Sequence, residues 1–488
     1  MSVDYDVVVV GGGGAGLSAA YHAAKNGASV MIVEAGSALG GATALAGGVV
    51  YAAGTSVQRA AAIIDSAEDM YQYMMTLNQW SIKPALAKRL ADAGADIIDW
   101  LIELGNEFPP ELIIETGVGG RPRGHQSVEG GLGIVKSLVN AVGSLDIEVA
   151  LGSRVSDLLV DDGKVVGIRS GEIDLRANAV IVTTGGFANN PAMVKRLWPT
   201  AASHGKRLTS FYAEAPYNMG DGILLGERIG ANIMGIDNGL LVLSPNFMPD
   251  MSYALPEWAM VVNRDGRRFI PEDASYAVCG YLVNEQPEMR CFAIFDEPAL
   301  MDACADDSIF KRYINDPGSD SWRIGVIRDQ VAKGRVKVAD TIAELAKRAD
   351  IDPINLELST ERYNRLMDLG EDTDFFKKTA KLYPIRTGPF YAVEIRATAM
   401  VSCHAGLEID NDGHVLDEHG RVIAGLYAGG EVLGCTLGRR YIGGGIGIAN
   451  ALTFGRVAGE TAAQDCAMLR QPAGESAAAA PQAGPASR

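Results

Sequence analysis

The chain has 488 residues, of which 48% are hydrophobic and 21% charged, and its formal net charge at pH 7 is −17. This length is long for one domain and suits two, and the composition is that of an ordinary globular protein. The acidic excess disfavours nonspecific nucleic-acid binding, and the sequence has no block rich in Lys and Arg. Because no window approaches about 18 uninterrupted apolar residues, we expect no membrane span.

The cysteines and the start of the sequence indicate where the protein works. All six cysteines lack C-x-x-C or disulfide-like spacing, so we expect free thiols of a reducing compartment (Cys279, Cys291, Cys304, Cys403, Cys435 and Cys466). We predict no metal site. The sequence begins almost directly on its first predicted strand, without a charged and then apolar signal segment. These features predict a cytoplasmic protein.

The opening residues have the pattern of a dinucleotide-binding βαβ unit. Asp6 to Val10 is an apolar, β-branched run that predicts a buried parallel strand, and the glycine-rich turn 11–16 follows it. Residues 17–27 predict a helix that ends at a glycine, and Ser29 to Val33 predict a second strand that ends on Glu34. Strand, G-x-G-x-x-G, helix, strand and acid come in the order that this unit requires.

The three glycines of the G-x-G-x-x-G motif each have a physical reason in dinucleotide binding. Gly11 permits the tight turn, Gly13 lets the backbone approach a pyrophosphate, and Gly16 lets the helix lie close to the strand. The helix N-terminus then presents its amides and its dipole to the phosphates. Glu34 stands where a carboxylate accepts hydrogen bonds from ribose hydroxyls. We therefore expect a dinucleotide at this turn.

The segments that follow predict helices, a β-rich run and further glycine-rich loops. Residues 40–48 predict a glycine-rich loop, which is either merely flexible or, with its small residues, fits against a flat cofactor ring. Apolar periodicity predicts helices within 57–105 and over 132–142. Strands are predicted over 148–151, 154–160, 165–170 and 179–183. The last of them leads into Thr184-Gly185-Gly186, whose glycines suit a close approach to a cofactor. Residues 216–232 predict a loop and then a helix, with Asp221 near its start.

The two chain ends predict one domain and the middle predicts another. Residues 233–400 contain more aromatic, Met and Pro residues and no second dinucleotide unit, which favours an inserted α+β capping or substrate domain with charged helices around 337–348 and 360–380. Strands are then predicted at 407–409 and 426–428, and a final helix from 446 to about 468. We predict an α/β, Rossmann-like domain built from 1–232 and 401–469, and a disordered tail over 470–488.

Six stretches, taken together, resemble a known flavoenzyme superfamily. They are VVVVGGGGAGLSAA at 7–20, VEAG at 33–36, GGATALAGG at 40–48, YNMGDG at 217–222, GRRFIPE at 266–272 and GLYAGGEVLG at 425–434. As a set they are similar to the FAD-dependent fumarate reductase / 3-ketosteroid dehydrogenase superfamily, and the similarity runs to about residue 465. The resemblance implies FAD rather than NAD and a cap that closes over the substrate.

The motifs and the resemblance together predict the residues that contact FAD. These are Gly11, Gly13, Gly14, Ala15, Gly16, Glu34, Ala35, Gly41, Ala42, Thr43, Gly47, Gly48, Thr184, Gly185, Asp221, Glu431, Ile446 and Gly447. The sequence lacks the histidine signature near residue 45 with which succinate dehydrogenases attach FAD covalently, so a noncovalent cofactor is expected. It also lacks a haem C-x-x-C-H motif, which favours an external electron acceptor.

Three positions that bind dicarboxylates in fumarate reductases differ here. By the resemblance, the proton-delivering arginine of that family corresponds to Tyr276, and the carboxylate-clamping arginine of its N-R-L-G-G motif corresponds to Tyr441. Its H-H-T-M-G-G motif is replaced by residues 401–406. A buried carboxylate without a cationic partner is disfavoured by roughly 3–5 kcal/mol. A dicarboxylate would therefore bind poorly, unless another cation replaces the lost groups (Arg439, Arg440, Arg123 or His404).

The replacements resemble those of 3-ketosteroid dehydrogenases. Residues 441–455 are similar to the Y-P-G-P-G-x-x-I-G-x-A-L-T-F-G stretch of the Δ1-dehydrogenases, in which the tyrosine hydroxyl and a later glycine N–H hold the 3-keto oxygen. The resemblance gives these two roles to Tyr441 and Gly445, and it gives proton abstraction to Tyr276. Residues 47–61 look more like the Δ4-(5α) branch. Ile442 and Pro271 depart from the family's proline and asparagine.

We therefore favour a flavin-dependent desaturase of a ketone, expected to be a 3-ketosteroid or a similar fused-ring ketone. Two neutral donors would stabilise enolate charge, Tyr276 would remove the α proton, and a hydride would pass to flavin N5. A free tyrosine has a pKa of about 10, so Tyr276 needs a cation, a hydrogen-bonded partner or the field of the substrate. His404 and Arg440 are the candidates for that help.

Two other hypotheses stay open. One is an oxidoreductase of small carboxylates, of the fumarate reductase or tricarballylate dehydrogenase type; residues 441–456 also resemble the glycine-rich loop of the latter. The other is a flavin-binding or redox-partner protein without catalytic activity. Two tyrosines at the positions of the ketosteroid enzymes argue against this last hypothesis.

Overall fold

A computed structural model of the chain describes residues 3–212, 217–247, 255–305, 320–378 and 383–470. The first of these ranges contains strands β1 (Tyr5–Val10), β2 (Val30–Val33), β3 (Val49–Tyr51), β4 (Ile113–Ile114), β5 (Gly124–Gln126), β6 (Ile147–Ala150), β7 (Val155–Asp161), β8 (Lys164–Ser170), β9 (Ile173–Val182) and β10 (Thr209–Ser210). Its helices are α1 (Gly14–Lys25), α2 (Gly41–Leu45), α3 (Ser56–Ala60), α4 (Ala67–Leu77), α5 (Pro84–Glu103), α6 (Gly130–Gly143), α7 (Pro191–Leu197) and α8 (Pro199–Ala202).

The later ranges contain the remaining elements. The strands are β11 (Ile233–Met234), β12 (Gly239–Pro245), β13 (Met260–Asn263), β14 (Cys291–Asp296), β15 (Lys337–Ala339), β16 (Phe390–Cys403), β17 (Gly406–Leu407), β18 (His414–Leu416) and β19 (Val422–Ala428). The helices are α9 (Asp221–Arg228), α10 (Tyr276–Asn284), α11 (Glu297–Cys304), α12 (Ile324–Ala332), α13 (Ile342–Ala349), α14 (Pro353–Leu369) and α15 (Ile446–Arg470).

The first sheet is the predicted dinucleotide-binding layer, and it confirms the α/β fold class. Its order is β18-β19-β9-β1-β2-β6, with the β7–β8 hairpin paired onto β9. β1 is parallel to both β2 and β9, and β9 is parallel to β19. Val7, Val8 and Val9 are fully buried, as an apolar run in a covered parallel sheet should be. Because β19 lies beside β9, both ends of the chain build this sheet.

Helix α15 returns to the start of the chain by packing closely against α1. A Cβ atom on Gly455 would lie 2.3 Å from the carbonyl oxygen of Ala15, and one on Gly459 would lie 2.3 Å from that of Ala19. Glycine at these two positions therefore allows backbone-to-backbone contact between the helices. The N-terminal ends of α1 and α15 are thereby brought to the same side of the sheet.

The second sheet forms most of the middle of the chain. Its order is β10-β16-β14-β13, and β12 and β15 also pair with β16. β16 runs without interruption through the predicted domain boundary between residues 400 and 401, and β10 joins the same sheet before residue 233. The cap sheet thus begins and ends outside the predicted range of 233–400. The predicted tail lies outside the described residues except for Arg470, which ends α15.

Two local predictions were wrong. The segment 40–48 contains the short helix α2 rather than only a loop, and α2 packs against α6, where the Gly131 amide donates to the carbonyl of Ala46. Residues 337–339 form β15 rather than the start of a helix, because they pair with β16. In both cases a tertiary contact decides the local structure.

Among the helices of the described ranges, none is both long and apolar enough to cross a membrane.

His414 joins β18 to α15 through two carboxylates. Its Nδ1 lies 2.9 Å from Asp410 and its Nε2 3.1 Å from Asp465, and these partners raise the pKa of His414 to about 9. Because the pKa is raised on folding, this stabilisation is complete below about pH 6.5 and is lost as the pH rises through about 9. We expect His414→Gln to lower stability by roughly 2 kcal/mol at pH 6 and by much less at pH 10. Urea titrations at both pH values test this, and an equal loss at both would contradict it.

Candidate active site

The turn after β1 leaves room for a phosphate. Gly11 has a φ of +105°, and a Cβ there would lie 2.6 Å from the carbonyl oxygen of Thr183. A Cβ on Gly16 would lie 1.8 Å from the carbonyl oxygen of Gly11, so this glycine is required for helix α1 to start so close to the strand. By contrast, the only atom near a Cβ on Gly13 is the carbonyl oxygen of Gly40, at 3.9 Å. The open face at Gly13 is where a pyrophosphate would approach.

Glu34 is held at the end of β2 by the turn itself. Its carboxylate accepts hydrogen bonds from the amides of Gly12 at 2.7 Å and Gly36 at 2.6 Å. Each carboxylate oxygen keeps further acceptor capacity, which suits ribose hydroxyls. The next residue, Ala35, is exposed. This part of the predicted site has the geometry that the sequence motif requires.

The loop and helix after β2 lie over the same turn. Thr43 in α2 faces α1, since a Cβ on Gly14 would lie 2.6 Å from its Oγ1. Gly41 is beside Gly13, since a Cβ on Gly41 would lie 3.3 Å from the Gly13 Cα, and Ala42 is partly exposed. A Cβ on Gly48 would meet the backbone of Gly130, at the start of α6, at 2.2 Å, whereas one on Gly47 would meet no atom within 4 Å. Gly47 therefore borders open space, and Gly48 serves packing.

Thr184, Gly185 and Asp221 come together on the other side of the turn. The Oγ1 of Thr184 accepts from the amide of Gly222 at 2.9 Å, and this bond ties the start of α9 to the end of β9. Asp221 itself pairs with Arg154 at 2.6 Å. Asn218, which the sequence motif includes but which we did not predict as a contact, accepts from the amide of Gly186, while its buried Nδ2 has no partner among the described residues.

The last predicted cofactor contacts are at the start of α15 and before it. The carboxyl of Glu431 accepts from the amide of Cys403 at 2.8 Å, and desolvation raises its pKa to about 7. Ile446 is fully buried, and a Cβ on Gly447 would meet no atom within 4 Å. Within the described residues, the backbone amides of Gly445 and Gly447 donate to no backbone acceptor. They are unsatisfied donors at a helix N-terminus.

These residues fit FAD. The open face at Gly13, the carboxylate of Glu34, the clear space at Gly47 and Gly447 and the orphaned Nδ2 of Asn218 offer space and polar partners to a ligand. The N-terminus of α1 has no side-chain cap and no acidic residue in its first turn, which suits a pyrophosphate.

The structure brings the two predicted catalytic tyrosines together. The rings of Tyr276 and Tyr441 have centroids 6.3 Å apart and an interplanar angle of 38°. The Oη of Tyr276 lies against Gly444, because a Cβ there would be only 2.3 Å from it. Gly444 precedes Gly445, the predicted amide donor. One short loop thus carries Tyr441, the contact surface for Tyr276 and the unsatisfied N–H.

A buried polar network that we did not predict supports this loop. Tyr73 donates to the carbonyl oxygen of Ile442 at 2.7 Å, and its hydroxyl and that of Tyr51 both lie near Gly117, 2.6 and 3.1 Å from where a Cβ would stand. The guanidinium of Arg123 lies 5.3 Å from the centroid of the Tyr73 ring and forms a two-point ion pair with Asp65 at 2.7 and 2.8 Å. The helical periodicity around Tyr73 indicated only a core-facing stripe. The sequence contains no signal that joins these four residues.

The ion pair beneath the loop should matter for stability. The side chains of Arg123 and Asp65 are 3% and 0% exposed. Arg123→Met leaves a buried carboxylate without its main partner, and we expect a loss of about 3–5 kcal/mol in the free energy of unfolding. Arg121→Met is the matched control, because Arg121 is 42% exposed and 3.6 Å from the same carboxylate. Arg121→Met should lower the free energy of unfolding by less than about 1 kcal/mol. Urea titrations measure both values, and equal losses of unfolding free energy for the two variants would contradict this expectation.

The arginines that could have replaced a dicarboxylate clamp are engaged elsewhere. Arg123 is paired with Asp65. Arg440 donates to the hydroxyl of Tyr281 at 3.1 Å and to the carbonyl of Leu77 at 3.3 Å, and its guanidinium lies 4.8 Å from the centroid of the Tyr281 ring. Arg439 lies over the same ring at 5.3 Å. Both guanidinium groups are therefore held at Tyr281.

His404 is not a cation in this site. Its ring is 1% exposed and nearly parallel to that of Tyr441, with centroids 5.9 Å apart. Burial lowers the pKa of His404 to about 4, so the imidazole is neutral at pH 7. It cannot supply the positive charge that a carboxylate clamp needs. His404 and Arg440 were the two candidates for activating Tyr276. His404 carries no charge at pH 7, and the guanidinium of Arg440 is in contact with Tyr281.

Comparisons with known proteins identify the family. The family described as "FAD binding domain" matches residues 6–448. NADH:fumarate oxidoreductase of Klebsiella pneumoniae (strain 342) is 32% identical over 94% of this chain, and fumarate reductase (cytochrome) of Shewanella frigidimarina is 31% identical over 94%. The chain spans 48% of the first relative and 77% of the second. The chain therefore spans about half the length of the Klebsiella pneumoniae protein.

Two further similarities concern ketone enzymes. The 4-oxocyclohexanecarboxylate 2-dehydrogenase of Sinomonas cyclohexanicum is 25% identical, over 95% of this chain and 93% of that protein. The crystal structure of 3-ketosteroid-Δ4-(5α)-dehydrogenase from Rhodococcus jostii RHA1 in complex with 4-androstene-3,17-dione superposes with a TM-score of 0.77 at 25% identity, over 95% of this chain and 98% of that one. The chain therefore belongs to the FAD binding domain family, as an FAD-dependent oxidoreductase of the fumarate reductase / 3-ketosteroid dehydrogenase superfamily.

Proposed function

We propose that this protein desaturates a cyclic ketone, of which a 3-ketosteroid is the leading case, with Tyr276 as base and with Tyr441 and Gly445 as donors to the ketone oxygen. The observation that carries the proposal is the meeting of Tyr276 with the loop 441–445. The phenol rings are 6.3 Å apart, and the Tyr276 hydroxyl lies against the residue before Gly445. The similarity to two ketone dehydrogenases supports the same substrate class.

The residues of this loop acidify the carbon next to the carbonyl. When Tyr441 O–H and Gly445 N–H donate to the ketone oxygen, they stabilise the enolate charge that develops as the α proton leaves. One preorganised donor of this kind contributes about 2.7–4 kcal/mol in a dry site. The Gly445 amide suits this role because no backbone acceptor of the described residues takes its hydrogen.

Tyr276 takes the α proton on its phenolate oxygen. It is the first residue of α10, whose first turn has no acidic residue, so the helix dipole favours negative charge nearby. Bound FAD supplies the acceptor for the hydride that leaves the β carbon, and the product is an α,β-unsaturated ketone. We propose that FAD is held noncovalently and that an external acceptor removes the electrons. Release of the flavin when the protein is precipitated with acid tests whether FAD is held noncovalently.

A second candidate is a reductase or dehydrogenase of small carboxylates. Two relatives that are more than 30% identical are both named for fumarate, which favours it. Against it stand the tyrosines at the two arginine positions and the neutral His404.

Anaerobic mixing separates the two candidates. We expect 4-androstene-3,17-dione, its saturated 3-keto analogues or a simple cyclic ketone to bleach the flavin band at about 450 nm, and succinate to leave it unchanged. The reverse direction is tested with protein reduced beforehand: an enone should reoxidise it and fumarate should not. Bleaching by succinate, or reoxidation by fumarate alone, would overturn the ketone proposal.

A further inference from the structure

Thr116 joins the two halves of the candidate site through three hydrogen bonds. Its Oγ1 donates to the carbonyl oxygen of Gly444 at 2.9 Å, and its own carbonyl oxygen accepts from the Gly444 amide at 3.4 Å. The same carbonyl oxygen accepts from the Oγ of Ser275 at 2.8 Å. Ser275 caps helix α10, of which Tyr276 is the first residue. Thr116 therefore contacts both the loop of the proposed donor and the start of the helix that carries the proposed base.

The bond to the Gly444 carbonyl fixes the direction of the Gly445 N–H, because the two groups belong to one peptide. This peptide is trans, since the one cis peptide bond among the described residues precedes Pro389. The C=O and the N–H of a planar trans peptide point in opposite directions. With the Gly444 carbonyl directed at the Thr116 hydroxyl, the Gly445 N–H is directed away from it.

The loop needs such a restraint because its own residues supply none. Residues 443–445 are all glycine, and Gly445 has a φ of +99°, in a region that glycine enters without steric cost. A peptide between two glycines can rotate until its carbonyl, and not its N–H, faces the ketone oxygen. Two acceptors would then face each other. Thr116 is only 4% exposed, so its hydroxyl holds the Gly444 carbonyl away from competing water.

We propose that Thr116 is a positioning residue: its hydroxyl holds the peptide between Gly444 and Gly445 in the orientation in which the N–H donates to the ketone oxygen. This inference rests on the proposed function and adds a residue to it. The bond to the carbonyl also polarises the peptide and makes its N–H a stronger donor. The effect should be largest as the enolate forms, because hydrogen bonds to a charged oxygen are stronger than those to a neutral one.

Two substitutions at Thr116 separate its hydroxyl from its shape. Thr116→Val keeps the branched side chain and removes the donor, whereas Thr116→Ser keeps the donor. We expect Thr116→Val to lower the limiting rate of flavin reduction by a cyclic ketone about tenfold, and Thr116→Ser to stay within about twofold of the wild type. The ketone concentration that gives half of the limiting rate should change far less than the rate, because the ketone is neutral before the proton leaves.

Thr360→Val is the matched control. The Oγ1 of Thr360 donates to the carbonyl oxygen of Leu356 at 2.8 Å within α14, and Thr360 is 5% exposed. The substitution therefore removes a buried hydroxyl-to-carbonyl bond of the same kind, outside the candidate site. We expect the rate of flavin reduction in Thr360→Val to equal that of the wild type.

A second measurement needs no turnover. A phenolate carries its charge on an oxygen bound to an sp² carbon, as an enolate does, so 4-nitrophenolate is the probe. It is titrated into the FAD-loaded protein, and its Kd is read from the visible spectrum. We expect it to bind about tenfold more weakly to Thr116→Val than to the wild type or Thr116→Ser. The uncharged 4-nitroanisole should bind all three proteins alike.

The outcomes distinguish this inference from the proposed function. Equal rates and equal phenolate affinities in Thr116→Val and the wild type would overturn the role of Thr116. Equal losses in Thr116→Val and Thr116→Ser, or in Thr116→Val and Thr360→Val, would also overturn it, because they would reflect packing and not the hydroxyl at the donor peptide. If no cyclic ketone bleaches the flavin, the proposed function is wrong, and the phenolate affinities still decide whether Thr116 orients the amide. A wild-type protein that neither reacts with ketones nor binds the phenolate would overturn both.

Discussion

Tyr276→Phe should lower the rate of ketone-dependent flavin reduction by about 10²–10⁴-fold, which is the range for loss of a general acid or base. The variant loses only the Oη atom, which lies against Gly444 beside the loop that binds the ketone oxygen. The donors Tyr441 and Gly445 stay in place, so ketone binding should weaken far less than turnover. Single-turnover mixing under anaerobic conditions measures the rate, and the dependence of that rate on ketone concentration measures binding.

Tyr281→Phe is the matched control for this variant. Tyr281 is five residues further along the same helix, and its hydroxyl accepts from Arg440. The substitution removes the same atom from a tyrosine that lies outside the proposed mechanism, and the rate should stay near that of the wild type. If Tyr276→Phe retains full turnover, Tyr276 is not the base. If both variants lose activity equally, the loss reflects the helix and not the phenol.

Gly444→Ala should be the second most damaging change. Its Cβ would be placed 2.3 Å from the Oη of Tyr276 and 3.2 Å from the Cβ of Thr116, so the phenol must move. A displacement of about 1 Å at a reacting group can cost about 10²-fold in rate. We expect a loss of that order in flavin reduction by a ketone, while the FAD content of the purified protein stays unchanged.

The control for this substitution is Gly143→Ala, where a Cβ would meet no atom within 4 Å. It adds the same methyl group at the end of α6 and should leave the rate unchanged. A Gly444→Ala protein with wild-type turnover would contradict the contact between this loop and Tyr276. A variant that loses its FAD would instead show that the alanine disturbs the start of α15.

The dinucleotide-binding half of the fold could be predicted from the sequence because its signals are local. The strand, the turn with Gly11, Gly13 and Gly16, and the acid Glu34 follow one another within a single βαβ unit. The predictions failed where a distant partner decides the structure. β15 is a strand because β16 is beside it, and β16 crosses a boundary that composition had placed at residue 400.

The candidate site was predicted only in part, for a similar reason. The resemblance gave roles to Tyr276 and Tyr441, but no spacing within the sequence indicates that residues on α10 and before α15 face each other. We did not predict the polar network that supports the loop (Tyr73, Tyr51, Arg123 and Asp65). These residues come from separate segments, and the sequence around each one indicates only a core or a surface position.

The proposed function depends on phenol and amide groups, and not guanidinium groups, holding the substrate. A crystal structure of the FAD-loaded protein with 4-androstene-3,17-dione or a smaller cyclic enone tests this most directly. We expect the ketone oxygen at about 3 Å from both Tyr441 Oη and Gly445 N, with Tyr276 Oη facing the adjacent carbon. The proposed function would be contradicted by a structure in which the ketone lies elsewhere and a dicarboxylate is bound by Arg123, Arg439 or Arg440.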